Sequence, residues 1–175
     1  MSSLQTGAWI VAAVLLFWIV GAYNRLVTLR TALVKSFKPV DGHFAERHAR
    51  LAQHIEAVET VLAPAGDRLE ALRAACVQAE SARVHAATHP GAPGAIKSLR
   101  LADEILAGAR ARVPMAGAAS SEISELGALL AASDTALVFA RRQFNAAVLE
   151  YNHAVEQLPT RLVAALFGFA AAGTL

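Results

Sequence analysis

The side chains of this 175-residue chain that could carry chemistry fall into a few small sets, and spacing decides what each could do. His85 and His89 stand four residues apart, which on a helix puts two imidazoles on one face, the beginning of a metal site. Such a site needs further ligands. Cys76, the one cysteine, lies about two and a half turns upstream of His85, and His89 abuts Pro90, where a helix should be ending. The pair therefore reads as solvent-exposed histidines, with no metal. Gly91-Ala92-Pro93-Gly94-Ala95-Ile96-Lys97-Ser98 nearly spells a phosphate-binding loop. Ile96 stands where the second glycine is required, and a helix instead of a strand precedes it, so the backbone N–H groups would not be aimed at a phosphate. The acidic residues Glu56, Glu59, Glu70, Glu80, Asp103, Glu104, Glu150 and Glu156 are scattered at positions suited to solvated faces. Paired carboxylates for acid–base work would need a pocket. No catalytic residue, cofactor or small-molecule substrate is expected, and the chain is not read as an enzyme.

Asn145 and Asn152 are a different kind of pair. They lie one heptad apart, beside the seam residues Phe144 and Tyr151. Polar groups at the edge of an apolar seam fix helix register through interhelical hydrogen bonds. Counted from the same end, an antiparallel partner helix would set Arg30 opposite Asn152 and Phe37 opposite Asn145. Arg141 reads as an interhelical ion-pair or solvated residue. The alternative for this strip is a partner-binding surface.

The elements that must position these residues are helical. Residues 7–23 (GAWIVAAVLLFWIVGAY) form an apolar run, and no charged side chain occurs between Met1 and Asn24. At ~1.5 Å per residue this is long enough to cross a hydrocarbon core. Residues 1–6 would be a short extracytoplasmic N-terminus. The competing reading is a signal peptide cut at Val20-Gly21-Ala22; the absence of a basic region ahead of the run and its length argue against it. From Arg25 to Arg50 six basic residues face only Asp41 and Glu46, whereas the remainder is net acidic. The positive-inside rule puts the N-terminus outside and the body in the cytoplasm of a single-pass cell-membrane protein. The lone Cys76 suits a reducing compartment. The net charge of +2 does not suggest a nucleic-acid partner, and the basic run is explained as a topology signal with attraction to anionic lipid heads.

Behind the anchor an apolar stripe runs through Leu26, Leu29, Leu33, Phe37, Val40, Phe44, Arg47, Leu51, Ile55, Val58 and Leu62, with Arg47 its one polar member. Its phase persists across Pro39 and Gly42, which predicts a kink or a one-turn interruption. Pro64-Ala65-Gly66 ends this helix at Ala63. Asp67, with Glu70 three residues on, predicts a capped second helix to about Thr88 carrying Leu69, Leu72, Cys76, Ala79 and Ala86. His89–Gly94 is the clearest loop. A third helix over 95–113 carries Ile96, Leu99, Ala102 (or Asp103), Leu106 and Ala109. The last helix, led in by Ser120-Ser121, reads Leu126, Leu130, Ser133, Leu137, Ala140, Phe144, Ala147, Tyr151, Ala154 and Leu158, and Pro159 terminates it. The expectation is an all-α fold: an N-terminal transmembrane helix continuing into a long antiparallel bundle of about four helices, up-down-up-down, over residues 24–159. The return of the last helix delivers an apolar tail, 160–175, to the membrane side. With Leu162, Val163, Leu166, Phe167 and Phe169 it is too short to span, and it either lies in the bilayer interface or caps the bundle.

Tyr23-Asn24-Arg25 directly after the anchor, and Arg141, Phe144-Asn145, Tyr151-Asn152, Pro159 and the closing Phe167-Gly168-Phe169, resemble the signature of the LemA family. Phe144 and Leu158 depart from it, standing where Tyr and Phe are usual, which marks a divergent member. The resemblance implies a membrane-anchored helical bundle without established chemistry. The function expected is a scaffold or interaction role at the membrane, with a protein partner or a homo-oligomer. Ala63, Ala74, Ala75 and Ala79 offer a small-residue face for further helices. The alternatives are membrane shaping or surface binding by the tail, and an accessory subunit of a membrane enzyme.

Overall fold

In a computed structural model the stripe from Leu26 to Val58 lies along one face of a single helix, α1 (Ser3–Val61). The structure describes residues 3–61, 66–113 and 121–175. The 59 residues of α1 reach about 88 Å at 1.5 Å per residue. Pro39 sits inside it without interrupting it, so the one-turn interruption does not occur. Proline removes one N–H, orphaning the carbonyl four residues back. Pro39 and Lys35 are both exposed, so that carbonyl falls on the side water can reach.

The other helices are α2 (Gly66–Thr88), α3 (Pro93–Ala111), α4 (Ser121–Glu156) and α5 (Thr160–Phe167). Asp67 is the second residue of α2 and not its cap as expected, and there its charge still complements the helix dipole. The expected ends at Leu62, Ala63 and Ser120 fall outside the described residues. Helix α3 starts at Pro93, two residues early, because proline suits a first helical turn, where an N–H has no partner to lose.

Cross-contacts give the directions. Phe37 meets Phe144 and Arg50 meets the Leu129 carbonyl, so α1 and α4 are antiparallel. Asp41 pairs with Arg83, His48 with Glu80 and Glu59 with Arg73, so α2 runs back along α1. Gly91 lies against Leu33 and Asp103 against Arg47, so α3 runs with α1. The result is an up-down-up-down bundle with α1 and α4 as its long pair. One core cluster gathers Leu26, Leu33, Phe37, Phe44, Ile96, Leu137, Phe144 and Tyr151; the second, farther out, gathers Leu51, Ile55, Leu72, Leu106 and Leu130.

Three expectations about faces change. Of the alanines expected to offer an open face, Ala75 and Ala79 are buried between α2 and its neighbours and Ala74 is exposed. Past Phe144 the buried line of α4 includes Val148 and Val155, because an α-helix drifts against a strict heptad. Leu158 is 69% exposed, since α4 ends at Glu156 and the chain turns through a cis Leu158–Pro159 bond into α5.

Helix α5 splits the tail's residues between two environments. Val163 and Ala164 close the end of the core, Leu162 and Leu166 face outward, and Phe167 is half exposed against Tyr23. At Gly168, φ is +70°, a conformation that glycine adopts at little cost, and the helix stops there. Residues 169–175 have no regular structure and pass back along the bundle. Trp18 and Ile19 still pack against the end of the core, and below them α1 continues as an apolar overhang with Trp9 and Phe17 more than two-thirds exposed.

Candidate functional site

Two constellations organise the polar side chains. The first is a charged layer between the two core clusters. Phe44 is fully buried, and the guanidinium carbons of Arg47 and Arg141 stand 5.1 and 5.0 Å from its ring centroid. Asp103 of α3 accepts hydrogen bonds from both arginines, one on each carboxylate oxygen. Asp134 of α4 lies 3.6 Å from Arg47 and accepts a 2.8 Å bond from Arg110 of α3. The layer ties α1, α3 and α4 at one height. Burial pushes the Asp103 carboxyl up, but the charges and hydrogen bonds of Arg47 and Arg141 outweigh it and hold the group below the usual range. Next to it Arg83 bridges Asp41 and Glu80, and Glu80 also meets His48 at 3.0 Å. The Arg83 bond, assisted by His48, holds Glu80 at about 2 against a smaller burial penalty.

His54 lies farther out, 2% exposed, and neither ring nitrogen has a hydrogen-bond partner. Burial, with the nearby Arg110 charge, lowers its pKa. The unfolded chain then binds a proton more readily than the folded one. Stability contributed by neutral His54 is complete above the ordinary histidine value of about 6.5 and declines as pH falls below it, until the folded pKa is passed. Thermal melts should show Tm falling between about pH 7 and pH 5, and His54→Leu should flatten that part of the profile. An unchanged slope in the variant would assign the acid sensitivity elsewhere.

The second constellation holds the C-terminal strap, 169–175. The Asn152 amide donates to the Ala172 carbonyl at 2.9 Å and accepts from the Ala172 N–H at 2.7 Å. Asn145 does the same to Leu175, donating at 2.7 Å and accepting at 2.8 Å. The Tyr151 hydroxyl donates to the Ala170 carbonyl at 3.0 Å. One heptad on a helix advances about 10.5 Å, and three residues of extended chain advance about 10 Å. The Asn–Asn spacing on α4 therefore matches residues 172 and 175 of the strap. A Cβ at Gly173 would stand 2.9 Å from Pro93 Cα, so the close approach to α3 requires glycine there. The strap lies where α2 and α3 fall short: their connecting loop reaches only the level of Leu33 on α1. A cleft of about 330 Å³ remains between strap and loop, lined by Arg30, Leu33, His89 and Tyr151 among others.

The structure thus sends both asparagines to the strap backbone and not to a facing helix as expected. Arg141 pairs with Asp103, and Phe144 meets Phe37 edge-to-face at 5.3 Å. Tyr23 packs on Phe167 and Phe169, at 4.9 and 5.8 Å between ring centroids. Asn24 and Arg25 are exposed beside it, and Pro159 opens α5. The rings of His85 and His89 are 5.1 Å apart and exposed, with His89 Nδ1 at 2.9 Å from the Thr88 hydroxyl. Among the described residues no three His, Cys, Asp or Glu gather to hold a metal ion. Sequence reasoning passed over Asp134 and the strap. It did carry one signal for the charged layer, since Arg47 broke an apolar stripe and Asp103 shared a core position with Ala102.

An all-helical bundle on one long helix, with an apolar overhang at one end and a backbone-clamped strap beside it, defines a helical-bundle protein with an exposed apolar stem. The chain belongs to the LemA family, whose model matches residues 40–175. That match includes Arg141, Asn145, Tyr151, Asn152 and the strap, and begins after Tyr23-Asn24-Arg25. No curated protein matches the chain significantly.

Proposed function

We propose that this protein is a membrane-anchored scaffold, single-pass, with its N-terminus outside and its bundle in the cytoplasm, holding protein partners or copies of itself at the membrane surface. The observation that carries this reading is the overhang. Among the described residues two helices, α1 and α4, are long and apolar enough to cross a membrane by length and composition. They differ in setting. The apolar faces of α4 are partly spent in the bundle, whereas Trp9, Ile10, Val14, Leu15, Leu16 and Phe17 of α1 are all more than half exposed. An uncharged rod with apolar side chains on every face is stable in lipid and costly in water. The basic residues that follow it supply the orientation. The charged layer gives the bundle a single register, as a platform requires.

The test is fractionation. The full chain should stay with membranes through an alkaline wash, and deletion of residues 7–20 should move the bundle to the supernatant. Recovery of the intact chain in the alkaline supernatant would end the reading.

The outer face of α5 favours a second contact with the bilayer. Leu158, Leu162, Leu166 and Phe167 are 69%, 65%, 73% and 50% exposed, at the end of the bundle where Tyr23 marks the start of the overhang. Such a face lies in a membrane interface. A fluorophore at Leu166→Cys, in a Cys76→Ala background, should be quenched by spin-labelled lipids in reconstituted vesicles. Quenching only by aqueous iodide would leave α5 as a cap of the core.

A further inference from the structure

We infer that the cleft between the strap and the α2–α3 loop binds a phosphate group, with Arg30 and His89 as its donors. This goes beyond the scaffold reading, since the cleft belongs to the bundle and takes such a group with or without a membrane beside it.

Arg30 and Leu33 of α1 form one wall, His89 and Pro93 the second, and Tyr151 with the strap closes the space between them. The volume of about 330 Å³ is at the lower end of small-ligand sites. Arg30 supplies the charge. The arginines of the charged layer and its neighbour Arg83 are paired with carboxylates; Arg30 pairs with none among the described residues. Burial pushes the Tyr151 hydroxyl up and the Arg30 charge opposes it, so the guanidinium stands on the cleft side of its helix. From the facing wall, His89 turns Nδ1 to the Thr88 hydroxyl at 2.9 Å, and no group among the described residues bonds its Nε2. An anion beside that nitrogen favours a proton on it. Ala92 and Pro93 line the cleft where α3 begins without a side-chain cap, and the positive end of that helix dipole adds the same sign.

Carboxylates are kept away. The chain has no acidic residue before Asp41, none between Glu80 and Asp103, and none after Glu156. Glu150 and Glu156 of α4 are exposed, and neither lines the cleft. A tetrahedral oxyanion suits donors on two facing walls because its oxygens point to both, whereas a planar carboxylate presents its two oxygens to one side. The cleft reaches Gly168, beside Phe167 and Phe169 packed on Tyr23, so it opens near the base of the overhang. Arg30 lies about 10 Å farther along α1 than Tyr23, and side chains on a helix lean towards its N-terminus, here towards that base. A lipid headgroup at that level and a soluble phosphate monoester present the same chemistry to the site, and the experiment separates them.

Full-length protein in an uncharged detergent is titrated calorimetrically, at fixed ionic strength, with inorganic phosphate, glycerol 3-phosphate, and phosphatidic acid in mixed micelles. Acetate is the comparison anion. Arg30→Gln should weaken binding by about tenfold or more, the scale of one charge-assisted hydrogen bond. Arg30→Lys should lose less, keeping the charge without the planar fork. Ala171→Phe sets a ring into the cleft without changing charge and should weaken binding several-fold. Lys35→Gln, exposed on the same helix outside the cleft, should leave it unchanged. Binding confined to phosphatidic acid would support the site with a lipid headgroup as its source. Binding confined to the two soluble probes would support it with a soluble ester. Four results would each overturn it: no binding of any probe, equal binding of acetate, indifference to the ring in the cleft, or a loss on Lys35→Gln as large as on Arg30→Gln. Melting of each variant is read alongside. Where Ala171→Phe disturbs the strap, Val34→Phe on the α1 wall replaces it. The soluble probes need no bilayer, so their result stands apart from the fractionation that tests anchoring.

Discussion

Asp103→Ala is expected to destabilise the bundle by about 3–5 kcal/mol, the range for removing one partner from a buried charge pair. Asp103 is the carboxylate shared by Arg47 and Arg141, and the Arg47 side chain is only 10% exposed. Without it, Arg47 keeps only Asp134, at 3.6 Å, and its Nε already lacks a hydrogen-bond partner. Arg141, with a quarter of its side chain exposed, can turn to water; Arg47 cannot. The damage should therefore come from the stranded charge more than from the lost contact. Asp103→Leu combined with Arg47→Met removes both charges and leaves Asp134 paired with Arg110. That double variant should recover most of the loss, since apolar replacement of a buried pair is often neutral. Denaturant melts of the chain in mild detergent would decide it. If the double variant is as unstable as the single one, the layer acts through its hydrogen bonds and not through charge balance.

Phe44→Ala should cost about as much, roughly 3–5 kcal/mol, by emptying a fully buried site. A further ~0.5–2 kcal/mol is expected because both guanidinium groups lose the ring they stand against. Phe144→Ala opens a comparable hole in the same cluster without that second loss, although it also loses an edge-to-face contact with Phe37. Phe44→Leu separates the two effects, keeping most of the volume while removing the ring. A variant that melts like wild type would show that the arginines are held by their carboxylates alone. The expected ordering is Phe44→Ala least stable, then Phe144→Ala, then Phe44→Leu. Equal losses for the two alanine variants would remove the cation–ring contribution.

The helices were legible because their signals are local and periodic. The stripe from Leu26 to Val58 placed α1, and its phase across Pro39 indicated a continuous direction. What the stripe could not show was that Pro39 faces water, which is why the helix passes through it. Leu158 shows the opposite failure. Its spacing from Tyr151 and Ala154 put it in the seam, yet the helix had ended two residues earlier, and periodicity means nothing past a helix end. Asn145 and Asn152 were recognised as a pair from their heptad spacing, but their partner was assigned to the wrong segment. Side-chain amides serve interhelical and helix–backbone bonds equally, and residues 169–175 have no periodic pattern that would announce a docked strap.

By itself, the sequence determined the helices, their order and the uncharged run ahead of Asn24, because helix propensity, capping, proline placement and apolar periodicity act over a few turns. Only the tertiary structure decided which distant groups meet: Asp103 between Arg47 and Arg141, His54 sealed without a partner, and the strap in the groove beneath the short α2–α3 arm. Those pairings depend on the relative lengths and heights of separate helices. The choice of hydrogen-bond and ion-pair partners is made across space, after the helices have packed.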